Sequence, residues 1–500
     1  MKLSFLMRRL ALVCSLLPAA TLLGAQDFGF GDEEPGTPDS YSPYPLILLQ
    51  GEAGAVLNGF IDDFGNADSL RLGNIFSGRL NFSAENAHAL GIINLKISPG
   101  TPAAVSAMAP AATPVAIDEA YVRAYFGDFE LEGGLRKLTW GKADSMGPLD
   151  VINPLDYSDL TLLVDSLSDG MAQKIARPLV RVSRNFGQFS KLEAVFVPNF
   201  EPLRLAGSGR WAPAQMTALP GRITEQIVGM TNPTQRQYAA QVLPRMLPGT
   251  IAGAYPDTST FNYAQTGLRF TTTLGSADLG AQYYYGRLTA PAVSLAGTAA
   301  SIAAAAPGLM SAGGPSDVDT ALASLLPPEI AYNPYHQLGL DYAQVLSAFN
   351  VRAEAALNLT EDLAGDDGAV YNPYLAWSLG FDRDLVWGIN LNLQAAETIT
   401  LRHNRIGDNP LLDVEAGSDP TSTWITTKLS KRFLQDRLEL SAAAIWGIED
   451  KDCLIMPVLS WTQDDVTVGL AGGFFAGDRG GQFGQYCDNS FIQARLKYRF

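Results

Sequence analysis

Three cysteines and three histidines are all that a 500-residue chain offers for thiol or imidazole chemistry. The histidines, His88, His336 and His403, stand far apart, and none has the H-x-x-x-H spacing of a metal site. No G-x-S-x-G and no phosphate-binding glycine loop is present, so an enzyme is the weakest reading and no cofactor is expected. Charge is scarce at 17% of residues and unbalanced, with 35 Lys and Arg against 51 Asp and Glu. So acidic a chain lacks the clustered basic surface that a nucleic-acid partner requires. Beyond residue 25 no apolar run approaches the ~20 residues of a membrane helix. What is plentiful is apolar side chain, 47%, together with 48 Gly and 30 Pro, which excludes wholesale disorder.

The first 25 residues read as a secretory signal. Lys2, Arg8 and Arg9 form a basic start, Leu10 to Leu17 an apolar stretch, and Leu23-Gly24-Ala25 a small-residue cleavage site. Cys14 sits inside the apolar stretch after Val13 and is filler, which leaves Cys453 and Cys487 as an even pair in an exported chain. Residues 26–46 hold Asp27, Asp32, Glu33, Glu34 and Asp39 among Pro and Gly with no basic residue, as a flexible leader would. Export without a helical anchor leaves a secreted protein, a periplasmic one, or an outer-membrane β-barrel, whose strands show only weak alternation.

Alternation runs from Ile47 to the last residue. In the C-terminal segment Ile492, Ala494, Leu496, Tyr498 and Phe500 share one face, and Gln493, Arg495, Lys497 and Arg499 the other. The terminal aromatic Phe500 resembles the signal read by the outer-membrane barrel assembly machinery. Counting such segments predicts 18 strands, with 14 to 18 accepted, in residues 47–500. Connections alternate in length: Gly127-Asp128, Gly187-Gln188 and Gly275-Ser276 are short, whereas 99–117, 141–177, 199–261, 289–334, 404–421 and 477–489 are long. Short periplasmic turns and long extracellular loops are the habit of bacterial barrels. The fold class is therefore all-β, a transmembrane antiparallel up-and-down barrel contacting outer-membrane lipid.

The most distinctive segment is Trp140-Gly141 followed by Asn153-Pro154 and Asp156. It resembles an uncharacterised family of Gram-negative outer-membrane barrels, some of them linked with use of hydrophobic compounds. Asn153-Pro154 forces an extended or turning chain and Asp156 can accept from neighbouring amides, so a rigid fold at a pore mouth is expected.

A barrel of this size leaves an aqueous channel, so passage of small solutes across the outer membrane is the leading function. The alternatives are a plugged transporter of hydrophobic compounds and a structural or adhesive barrel. Alternation assigns Arg79, Lys96, Arg123, Arg136, Arg181, Lys191, Arg269, Arg352, Lys428, Arg495, Lys497 and Arg499 to the lumen. Glu119, Glu130, Glu132, Glu193, Asp278, Asp341, Glu354 and Glu439 oppose them, twelve against eight, which tilts the interior toward anions. Arg123, Arg136 and Arg181 are expected to form a basic ladder. Loop 199–261, with helical character after Asn232-Pro233 and with Arg222, Arg236 and Arg245, is the expected constriction. The acidic clusters Glu361-Asp362, Asp366-Asp367 and Asp413-Glu415-Asp419 lack the spacing of a calcium site and read as solvated surface. Cys453 and Cys487 fall on the same side of the membrane and are expected to form a disulfide.

Overall fold

A computed structural model describes residues 46–62, 70–71, 76–97, 115–145, 147–167, 169–214, 217, 254–294, 326–409 and 412–500, with scattered positions between 296 and 323. The expected signal, the leader up to residue 45 and the helix after Asn232 lie outside them.

Eighteen long strands follow one another: β1 Leu46–Phe60, β2 Phe76–Glu85, β3 Ala89–Ile97, β4 Val115–Phe126, β5 Phe129–Arg136 and β6 Arg177–Phe186. Then come β7 Ser190–Val197, β8 Gln265–Leu274, β9 Ala277–Arg287, β10 Pro334–Leu346, β11 Phe349–Thr360 and β12 Tyr374–Asp384. The last are β13 Ile389–Thr400, β14 Thr421–Phe433, β15 Leu438–Gly447, β16 Asp452–Gln463, β17 Val466–Gly477 and β18 Phe491–Arg499. Every neighbour in sequence is an antiparallel neighbour in space, and β1 closes the ring on β18 from Glu52↔Arg499 to Phe60↔Phe491. Closure leaves no unpaired edge, which is what permits a sheet to sit in lipid.

The final residue secures the seam. Gly51 N donates to the Phe500 carbonyl at 2.7 Å and Phe500 N donates to the Gly51 carbonyl at 2.9 Å. The Phe500 ring lies so close over Gly51 that any Cβ there would collide with it.

The rims differ as the connection lengths foretold. At one rim Gly127, Gly187 and Gly275 take φ near +60° in two- or three-residue hairpin turns, a conformation glycine adopts without a steric cost. Long connections gather at the other rim, and the four-residue turn from Ile448 to Lys451 is the one short member among them.

Period-two alternation sorts the side chains. In β10, Tyr335, Gln337, Gly339 and Asp341 are buried, while His336, Leu338 and Leu340 are exposed. Apolar side chains such as Val180, Leu268, Leu379, Leu440, Leu459 and Leu470 cover the outside. Phe126, Phe129, Phe186, Phe189, Trp387 and Phe433 stand exposed around the short-turn rim.

Candidate functional site

Residues 137–176, between β5 and β6, do not project outward. One loop touches inward-facing side chains of β2, β9, β10, β11, β13, β14 and β18, which lie around the whole ring and share only the lumen. The loop therefore crosses the barrel interior. The sequence assigned the constriction to 199–261 instead, and most of that connection lies outside the described residues.

The neck of the loop is held by Asn153, which is 3% exposed. Its Oδ1 accepts from Leu138 N at 2.7 Å, and its Nδ2 donates to the carbonyls of Arg136 at 3.0 Å and Ile175 at 2.8 Å. One side chain thus ties the end of β5 to the start of β6, and Pro154 fixes its own φ and disfavours a helical backbone at Asn153. Lys174 adds a second tie, donating to Leu138 O, Thr139 Oγ1 and Asp150 Oδ1. Burial pushes the Asp150 carboxyl above the ordinary carboxylate range, and Lys174 works against that shift.

Two lobes extend from this neck. The first, residues 138–150, crosses to β9–β13. There Glu354 accepts from the amides of Lys142, Ala143 (2.6 Å) and Leu149 (3.3 Å). Gly141, at φ +95°, lies against the Glu354 carboxylate, where a Cβ would collide. Gln394 accepts from Asp144 N at 3.2 Å and Ser145 N at 3.3 Å, and Asp144 pairs with Arg352. Trp140, 3% exposed, donates its indole N–H to Glu193 Oε1 at 2.6 Å and meets Tyr284 edge-on.

The second lobe, residues 155–174, leans toward β14–β18 and β2. Asp156 Oδ1 accepts from Ser158 N at 3.0 Å, the local turn expected of it, and Asp156 Oδ2 pairs with Arg204 at 2.9 Å. Arg204–Leu205 runs parallel to Asp156–Tyr157. Burial pushes the Tyr157 hydroxyl up to about 12. Leu160 and Val164 pack with Phe60, Trp211, Phe475, Tyr486 and Phe491 in a buried apolar cluster. The start of the 199–261 connection thus also turns inward through Trp211, whereas Arg222, Arg236 and Arg245 lie outside the described residues.

The expected basic ladder is an alternating one. Glu132, with its side chain 1% exposed, pairs with Arg123 at 2.8 Å, with Arg181 at 3.2 Å and with Arg136. Arg181 continues to Glu193 at 2.6 Å, Lys191 reaches Glu193 at 3.5 Å, and Arg136 reaches Glu119 at 3.6 Å. Glu130 accepts from Ser183 at 3.4 Å, and Arg269 pairs with Asp341 at 2.7 Å. Alternation missed three wall carboxylates: Asp118 at 3.0 Å from Lys96, Asp382 at 2.8 Å from Arg352, and Glu52 at 3.0 Å from Lys497. Asp118 enters through a β-bulge that shifts the β3–β4 register after Asn94, so that two successive residues reach inward cations.

Other expectations change. The thiols of Cys453 and Cys487 are free rather than bridged. Cys453 sits between Asp452 and Leu454, both buried on the inner face, and so belongs to the outer face of β16, whereas Cys487 Sγ lies 3.7 Å from the Gly477 carbonyl. The acidic clusters are not simply solvated. Asp362 accepts from Gly365 N and Asp367 N, and Glu415 accepts from Asn372 N. Burial opposes the charge on Asp362, yet those amides hold its carboxyl below the ordinary range. Among the described residues no His, Cys, Asp and Glu group is arranged to hold a metal, and no helix is long and apolar enough to cross a membrane.

The sequence matches no protein-family model and no curated protein sequence. Among solved structures it is similar to OccK9 (OpdG) of Pseudomonas aeruginosa, at 10% identity and TM-score 0.45 over 92% of this chain and 99% of that one. It is also similar to Wzi of Escherichia coli, an outer-membrane carbohydrate-binding β-barrel involved in group 1 capsule assembly, at 11% identity and TM-score 0.43 over 90% and 84%. A third is the outer-membrane channel DcaP of Acinetobacter baumannii, at 9% identity and TM-score 0.39 over 92% and 98%.

Proposed function

We propose that the chain is a bacterial outer-membrane channel for small solutes, with loop 137–176 as its constriction. The observation that carries this reading is a closed 18-strand ring, apolar outside and polar inside, with one loop fastened across its interior. The apolar outer face and the exposed aromatics at the rim suit a lipid setting. Phe500, buttoned onto Gly51, suits recognition of the last strand by the assembly machinery. Such passage needs no reaction, because selectivity comes from pore width and lining charge.

The anion preference in this reading is local. Around most of the wall Glu52, Asp118 and Asp382 restore balance to the count of twelve against eight. Arg79 and Arg495 differ, because among the described residues their carboxylate partners, Asp169 and Asp165, both belong to the loop. Planar-bilayer recording of refolded protein under a salt gradient tests both parts. Conductance steps with a reversal potential modestly toward chloride are expected, and folded protein without steps would defeat the channel.

One observation favours the hydrophobic-compound alternative: the aromatic cluster of Phe60, Trp211, Phe475 and Phe491 on the inner side of β17, β18 and β1. That cluster is packed with loop side chains, and a channel uses it as an anchor for the second lobe. Swelling of vesicles in small sugars, absent with a hydrophobic carrier, separates the two.

A further inference from the structure

Two kinds of ion pair inside this barrel contrast with one another. In the first, both partners are buried: Arg181 is 9% and Glu132 1% exposed in their side chains, and Arg269 with Asp341 is similar. Such pairs are parts of the wall, since opening one strands a charge away from water. In the second group the partners are wetted and belong to different bodies. Asp169 of the loop meets Arg79 of β2 at 3.4 Å with side chains 43% and 39% exposed, and Asp165 meets Arg495 of β18 at 30% and 22%. Pairs of this kind are weak and exchange readily.

A third wall cation meets the loop between Asp165 and Asp169 in sequence and has no carboxylate. Lys428 of β14 donates to the Leu167 carbonyl, and among the described residues no carboxylate is paired with it. Three wall cations therefore meet Asp165, Leu167 and Asp169 of the loop, which supply two carboxylates and one neutral carbonyl. The loop satisfies the hydrogen bonds of this sector but not its full charge. A guanidinium fork and an ammonium suit a planar carboxylate better than a single carbonyl does.

We propose that Arg79, Lys428 and Arg495 form a binding site for small organic carboxylates, which Asp165, Leu167 and Asp169 occupy when no solute is present. A solute with one or two carboxylates takes over these cations from Asp165, Asp169 and the Leu167 carbonyl as it passes, so occupancy by the loop and by the solute is mutually exclusive. The proposal rests on the channel reading and names its solute class.

Full-length refolded protein and its Asp165→Asn/Asp169→Asn variant are compared, with heat-modifiable migration confirming folding. Succinate is the probe, and glucose at equal osmolality the control. Removing the built-in competitor lowers the half-blocking succinate concentration for chloride current by about two- to fivefold, the worth of one exposed pair. It also moves the reversal potential further toward chloride, and glucose does neither. Unchanged succinate block and reversal potential in a folded, conducting variant overturn the site while leaving the channel standing. Folded chains that conduct nothing overturn the channel, and calorimetry then decides the site: succinate binding to the double variant, lost on adding Lys428→Gln, supports it, and no binding overturns it. If the double variant does not fold, Lys428→Gln alone serves in the otherwise unchanged chain, where weaker succinate block supports the site and unaltered block overturns it.

Discussion

Replacing Asn153 by alanine removes three hydrogen bonds at one stroke. Leu138 N loses its acceptor, and the carbonyls of Arg136 and Ile175 lose a common donor, all where the side chain is 3% exposed. An orphaned buried donor costs about 1–3 kcal/mol, and the carbonyls add less because water entering the vacated space can reach them. A total near 3 kcal/mol is then expected for the loop in its inward position. That is about a hundredfold in the balance between fastened and released loop. The barrel itself is spared, since Asn153 contributes to no pair between barrel strands. Single-channel recordings should show larger and noisier openings, and protease added on the long-loop side should nick residues 137–176 faster. Thermal loss of strand structure should hardly shift. An Asn153→Ala protein with ordinary conductance and ordinary protease resistance would refute the idea that this side chain holds the loop neck.

Glu354→Ala leaves the amides of Lys142, Ala143 and Leu149 without their acceptor, so the first lobe should detach and conductance should rise, while Glu354→Gln, still an acceptor, should lie between; equal conductance in all three would count against the latch. Gly51→Val places a side chain into the Phe500 ring and should cut the yield of assembled, heat-modifiable barrel several-fold, about as deletion of Phe500 does; normal assembly of both would remove Phe500 from closure. Gly141→Ala combines φ +95° with a collision at Glu354 and should loosen the same lobe by roughly 1–3 kcal/mol, read as faster proteolysis. Alkylation without reductant should modify both Cys453 and Cys487, and recovery of a linked peptide would show that the free thiols close into a bridge.

The strands were legible because a barrel strand writes its two faces in alternate residues. All 18 fall within a few residues of the segments read from alternation, and the difference in rim followed from connection lengths alone. Tertiary structure decided what the connections do. Nothing in Trp140-Gly141 or Asn153-Pro154 says whether the chain between them turns outward or in. That choice was made by Glu354, 211 residues from Ala143, and by Gln493, 332 residues from Thr161. Charge pairing was hidden for the same reason: alternation assigns a side chain to a face, but its partner is fixed by register, and at Asn94 a bulge changes the register and admits Asp118. The thiols show the limit once more. Topology places Cys453 and Cys487 toward one end of the barrel, but the pleat of β16 aims one outward while a 3₁₀ turn from Gly484 to Asn489 aims the other at Gly477. Period and spacing are local properties, whereas a lumen is enclosed by residues that meet only once the ring has closed.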